Sequence, residues 1–123
     1  DPLAGDVALE VLGSTTDQDL LASSLRLLHE IGRPEHAAAV RSLCASPDDA
    51  VRAQALRTLG AVGTEIDVPS LLKAMEDESP WAALNAARGV LAAGGARVLS
   101  EIATSGQATA VLARQVLSET GAA

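Results

Sequence analysis

Aromatic residues are almost missing from this chain. Its 123 residues include no Phe, no Tyr and a single Trp, Trp81. Sandwiches and barrels rely on aromatic and β-branched residues for their pleated faces, so an all-β fold is not expected. Cysteine is as scarce: Cys44 stands alone and cannot form an internal disulfide. That fits a reducing compartment, and a cytoplasmic location is the expectation. Positive charge is also short, with 9 Lys and Arg against 16 Asp and Glu and a net charge of −7. Contact with nucleic-acid phosphates or an anionic membrane surface needs a basic face, so neither is an expected partner. No apolar run approaches the roughly 20 residues that span a bilayer. The opening Asp1-Pro2-Leu3-Ala4-Gly5 has neither the charged region nor the apolar region of a signal peptide.

What is present points to helices. Apolar residues make up 48% of the chain, too many for a disordered segment. Ala and Leu dominate, and both are strong helix formers. The length suits one domain, residues 1–123. Eight of the nine bases are Arg, which reads as a coding bias.

The sequence repeats with a period of 31 residues. Ile31-Gly32, Val62-Gly63 and Ala93-Gly94 align. So do Arg26, Arg57 and Arg88, then Leu28, Leu59 and Val90, and then Leu9, Val40, Leu71 and Ile102. Each unit reads as a first helix (A) and a second helix (B). In the middle unit Ser46-Pro47-Asp48-Asp49 is a start signal, with Ser46 as N-cap and Pro47 in the first turn. Val51, Ala55, Leu56, Leu59 and Val62 follow at helical spacing. Gly63 ends the helix, as a residue free to adopt a left-handed C-cap. Val68, Leu71, Leu72 and Met75 mark the second helix. The units run approximately over 1–14 (partial), 15–46, 47–79, 80–107 and 108–123 (partial). Residues 6–13 read as a B helix and 108–119 as an A helix, giving eight helices in the order B, A-B, A-B, A-B, A and no strand.

The stretch from Ser46 to Gly63, followed by Val68-Pro-Ser-Leu-Leu-Lys-Ala-Met-Glu-Asp, resembles a HEAT repeat. It is most similar to the short bacterial type also found in phycobilisome lyases. The resemblance implies an α-solenoid of stacked antiparallel helix pairs, A helices convex and B helices concave. It implies a non-catalytic scaffold that binds a protein or peptide on the concave face. The alternative is an accessory or lyase-like subunit handling a tetrapyrrole chromophore. The family's Asp and Val-Arg pair appears as Asp48 or Asp49 with Val51-Arg52. The Arg position becomes Leu21 in the unit before and Ala83 in the unit after, so an inter-repeat Asp–Arg ladder is not expected.

Enzyme signatures are absent. Phosphate-loop, dinucleotide, nucleophile-elbow and H-E-x-x-H patterns do not occur. Cys44 follows His36 by eight residues but shares an apolar face with Ala37 and Val40, where Cys acts as a small hydrophobe. His29-Glu30 is a single pair at a helix end, too few ligands for a metal. No catalytic, cofactor-binding or metal residue is therefore expected. Asp17, Asp19, Asp48, Asp49, Glu76, Asp77 and Glu78 cluster where B helices pass to A helices, and suit helix N-termini. Arg26, Arg57, Arg88 and Arg114 recur once per unit as a convex row, read as a solvated face or an anion-reading stripe.

The concave side should show Val11, Ala38, Ser42, Lys73, Glu76, Ser100 and Thr104, a small and mixed surface suited to a helix or extended peptide. The candidate partner-binding residues are Arg41, Lys73, Glu76 and Glu101. Trp81, at a helix start, reads either as packing or as an interface anchor. Replacing Arg41 and Lys73 together by Glu is expected to leave thermal stability unchanged. The first B helix has Leu9 and Leu12 facing the next unit and Val7 and Val11 half a turn away. The chain is therefore expected to be a fragment of a longer protein that continues upstream or, failing that, to self-associate through residues 3–12. The last helix, with Thr109, Arg114, Gln115, Ser118 and Glu119, should present a polar outer face.

Overall fold

The computed structural model describes residues 2–120. Its helices are α1 (Pro2–Ser14), α2 (Gln18–Ile31), α3 (Ala37–Leu43), α4 (Asp49–Val62), α5 (Val68–Ala74), α6 (Pro80–Ala92), α7 (Ala96–Ala103) and α8 (Ala110–Glu119). Short 3-10 turns at Pro34–His36 and Glu65–Asp67 lead into α3 and α5. No strand occurs among the described residues. The even-numbered helices are the A helices and the odd-numbered ones the B helices. Successive A helices pack on one another (α2 on α4, α4 on α6, α6 on α8), and each B helix packs on the A helix that follows it. This is the α-solenoid.

Three of the four A helices start at a fixed phase. Asp17, Asp48 and Ser79 are their N-caps, and each side chain accepts a bond from the backbone N–H three residues on, at Leu20, Val51 and Ala82. Ser46 is not the cap of α4. The carboxylate of Asp48, a stronger acceptor than a hydroxyl, takes that place, and the Ser46 hydroxyl accepts the Asp48 N–H at 3.2 Å. The first B helix also differs from its expected 6–13, beginning a turn earlier at Pro2.

Gly63 does not adopt the left-handed cap expected of it, with φ of −80°, and Gly32 one repeat earlier has φ of −69°. Space is the reason these positions are Gly. A Cβ on Gly63 would lie 2.5 Å from Asp67 Oδ2 and 2.6 Å from the Leu59 carbonyl oxygen. One on Gly32 would meet the Leu28 carbonyl and Val62. Gly94, with φ of 96°, is the one described residue in the left-handed region.

The A helices approach most closely between α4 and α6. A Cβ on Gly60 would sit 2.5 Å from the Gly89 Cα and 2.6 Å from its carbonyl oxygen. One on Gly89 would sit 2.7 Å from the Leu56 carbonyl oxygen. One repeat earlier the Thr58 hydroxyl, at the position of Gly89, donates to the Leu25 carbonyl at 2.9 Å. The repeated columns Leu28, Leu59, Val90 and Val40, Leu71 lie in the core. Leu9 and Ile102, at the ends of the second column, are half-buried.

Arg52 joins two successive B-to-A linkers. Its guanidinium donates to Asp77 at 2.8 and 2.9 Å, to the Ser46 carbonyl at 2.8 Å and to Asp49 at 2.9 Å. Leu21 and Ala83 hold the equivalent places, so this is a single rung.

Gly60→Ala should cost about 2 kcal/mol in urea denaturation, because backbone rather than a pliable side chain opposes the new Cβ. Gly13→Ala, with nothing within 4 Å, should be neutral or slightly stabilising. Equal effects would contradict the close-crossing account. Arg52→Ala should cost about 1–2 kcal/mol, read from the same denaturation curves.

Candidate functional site

On the B-helix side a groove of about 810 Å³ opens between α5, α7 and the start of α8. Its apolar lining is Leu72, Met75, Val98, Ile102 and Leu112, and its polar lining includes Lys73, Glu76, Asp77, Gln107 and Thr109. Local helical spacing places these groups. Leu72 and Met75 lie three residues apart at the end of α5, and Val98 and Ile102 four apart on α7. The loop between Ala103 and Ala110 closes the far side.

Lys73 and Glu76 therefore share one site. Glu101 does not join them. It borders a shallow hollow with Glu65, Gly94, Gly95 and Arg97, which meets the groove only at Val98. Trp81 is elsewhere too, 69% exposed in the first turn of α6, so it is not a packing residue. Its carbonyl accepts a bond from the Asn85 side chain.

Arg41 is a clamp. Its Nε donates to Asp67 Oδ1 at 2.6 Å and its Nη2 to Oδ2 at 3.1 Å, tying α3 to the turn before α5. Asp67 is buried and also accepts the Thr64 N–H. The guanidinium bonds hold the Asp67 carboxyl below its ordinary value, against the opposing effect of burial. Replacing Arg41 by Glu would put two carboxylates at this contact and lower stability. The expected thermal silence of an Arg41 and Lys73 double change is corrected on that ground.

The convex row is not a set of four free cations. Arg88 donates to Glu119 at 3.0 and 2.8 Å, and Arg114 to the Ala103 carbonyl at 2.8 Å. Arg26 bonds the Ser23 hydroxyl, and Arg57 borders two shallow hollows with His29. Burial pushes the Cys44 thiol up to about 12, and its Sγ faces the Val40 carbonyl, so it is no thiolate nucleophile. His36 is buried as a cap: Nδ1 accepts the Arg33 N–H, and Nε2 faces Asp6 at 3.6 Å. Among the described residues no group of His, Cys, Asp and Glu could hold a metal ion, and no helix is long and apolar enough to cross a membrane.

Sequence reading missed the acids that engage these arginines. Asp67 lies 26 residues after Arg41, Asp77 25 after Arg52 and Glu119 31 after Arg88. An arginine followed by an acid about one period later was the available signal. It also missed Met75, Val98, Ile102 and Leu112 as groove residues, because their apolar periodicity matches that of core.

Asp67, Asp77 and Glu119 are all held below their ordinary values of 3.8, 3.8 and 4.5 by arginine hydrogen bonds. Their stabilisation is complete above those values and lost as pH falls toward the lower folded values. The contribution of these three pairs to the urea midpoint should hold down to about pH 5 and be lost below about pH 4. Arg52→Leu should make that loss smaller, and an unchanged loss would count against the Arg52–Asp77 bond.

A search of curated proteins finds no match. A family model for HEAT repeats matches residues 5–92, through the units that carry the glycine crossing and the Arg52 rung. The chain belongs to the HEAT-repeat family.

Proposed function

We propose that the chain is a non-catalytic scaffold that holds an amphipathic helix or peptide in the groove between α5, α7 and α8. HEAT repeats are generally protein-interaction scaffolds. The observation that carries the finer reading is the groove lining, an apolar patch from three helices with Lys73, Glu76 and Asp77 beside it. Apolar anchors would give affinity, and the charges would set register and direction. Solenoids use their extended concave surface in this way. A linear tetrapyrrole carries two propionates, and the groove lining offers one base, Lys73, beside Glu76, with Asp77 already bonded to Arg52. That balance favours a peptide with a basic residue near an acidic one over a chromophore.

The test is a displayed-peptide selection against the whole chain. Selected peptides should be amphipathic and should lose about tenfold in affinity on Lys73→Glu, about 1.4 kcal/mol. Thermal stability should not move, since Lys73 is exposed. Arg57→Glu, on the A-helix face, should have no effect. Peptides sensitive to Arg57→Glu and indifferent to Lys73→Glu would place the site on the convex face instead.

A further inference from the structure

We propose that the A-helix face carries a site for a single phosphate group, gripped by Arg57 with Arg26 and His29 beside it. The site lies away from the α5–α7–α8 groove and does not depend on it.

The open fork of Arg57 is the first observation. Its three companions in the row use donors inside the chain: Arg26 on the Ser23 hydroxyl, Arg88 on Glu119 and Arg114 on the Ala103 carbonyl. Arg57 makes no hydrogen bond or ion pair with any described residue. Ala53, Gln54, Gly60 and Ala61 stand a turn away on its own helix, and none of them is an acid. The Gln54 amide nitrogen donates to the Thr58 hydroxyl at 3.2 Å. Arg57 acts on Glu119 only through space, and that carboxylate is already held by the two prongs of Arg88. A planar set of donors is thus left for an outside acceptor. Arg57 belongs to α4, which has an A helix packed on either side, so its exposure owes nothing to where the stack stops.

The second observation is what surrounds it. Two hollows meet at Arg57 and His29. One, of about 480 Å³, lies between α2 and α4 and is lined by Arg26, Leu27, His29, Glu30, Gln54 and Arg57. The other, of about 370 Å³, runs on to Arg88 and Leu91. The first collects three donor groups from two helices: the whole Arg57 guanidinium, the Nε and Nη1 that Arg26 does not use on Ser23, and the His29 ring. Glu30 is its one acid. That side chain is 77% exposed, and its Oε1 stands 3.7 Å from His29 Nδ1, which leaves Nε2 uncommitted. Two guanidiniums against one carboxylate keep the hollow positive in a chain of net charge −7.

The donors choose the ligand. A phosphate monoester offers three terminal oxygens and close to two charges at neutral pH. Its bonds to guanidinium are charge-assisted and two-pronged. A carboxylate has two oxygens and one charge, and would leave a donor group unused. Arg88 and Arg114 are already engaged, so the row presents one point of contact rather than a track. That suits an isolated phosphate and not a nucleic-acid backbone.

NMR titration of the whole isotope-labelled chain with inorganic phosphate tests the site, with chloride holding the ionic strength at about 0.1 M. The Arg57 Nε–H and His29 ring signals should shift saturably, with a Kd of about 1 mM. Arg57→Gln should weaken binding about tenfold and Arg26→Gln about threefold, with helicity unchanged. Arg97→Gln, which removes an exposed arginine from α7, should leave the affinity as it is. A phosphoserine peptide flanked by alanines separates the two sources of this chemistry. Tighter binding of the peptide than of inorganic phosphate assigns the site to a phosphorylated protein, and equal or weaker binding assigns it to the free anion. Shifts that stay linear throughout, or Arg57→Gln binding phosphate as tightly as the wild type, would overturn the proposal.

Discussion

The contact between Gly60 and Gly89 sets the geometry of the whole stack. Two A helices meet there backbone to backbone, closer than any side chain would permit. That distance fixes how far α4 stands from α6, and with it where α5 and α7 fall on the other side. Apolar burial then follows from helices already placed: Leu56, Leu59, Leu71 and Val90 fill the space left around the crossing. Neighbouring interfaces solve the same problem differently. Thr58 reaches a carbonyl through its hydroxyl where Gly89 simply makes room. The repeat therefore preserves a position and a spacing, while the residue that satisfies them changes.

Arginine usage follows from the linkers. Arg41, Arg52 and Arg88 each present a planar fork to a carboxylate, and Arg114 reaches a backbone carbonyl. A lysine has one compact charge and cannot make such two-pronged bonds. The preference for Arg over Lys, which reads as coding bias in the sequence, thus has a structural use at three of the eight arginines. Much of the positive charge that composition assigns to the surface is accordingly committed to holding linkers and helix ends together.

The architecture was largely legible in the sequence because its signals are periodic. The helix-start signals and the columns through Leu28 and Val40 recur once per unit, so an error at a single position, such as Ser46 read as the cap in place of Asp48, leaves the architecture unchanged. The illegible parts are those where one residue's reason lies in a distant one. Gly63 carries the same letter whether it is a left-handed cap or a place where Asp67 and the Leu59 carbonyl leave no room. Arg41 looks like a surface cation until Asp67 is known to lie beneath it. The groove was legible only through its charged members, Lys73 and Glu76. Its apolar members follow the same spacing as core residues, and only the gap left by the α7–α8 loop distinguishes them.

The A and B sides of the stack differ in mechanical character. On the A side, α4 and α6 touch through backbone. On the B side, α3, α5 and α7 pack chiefly on A helices and scarcely on one another. A bending load therefore meets a stiff spine on one side and compliant material on the other. The neutral axis runs close to the glycine crossing, and the B helices sit at the end of the lever. A small rotation between adjacent units changes little at the spine and widens or narrows the space between α5 and α7. Flexure of the solenoid and the width of its groove are one degree of freedom.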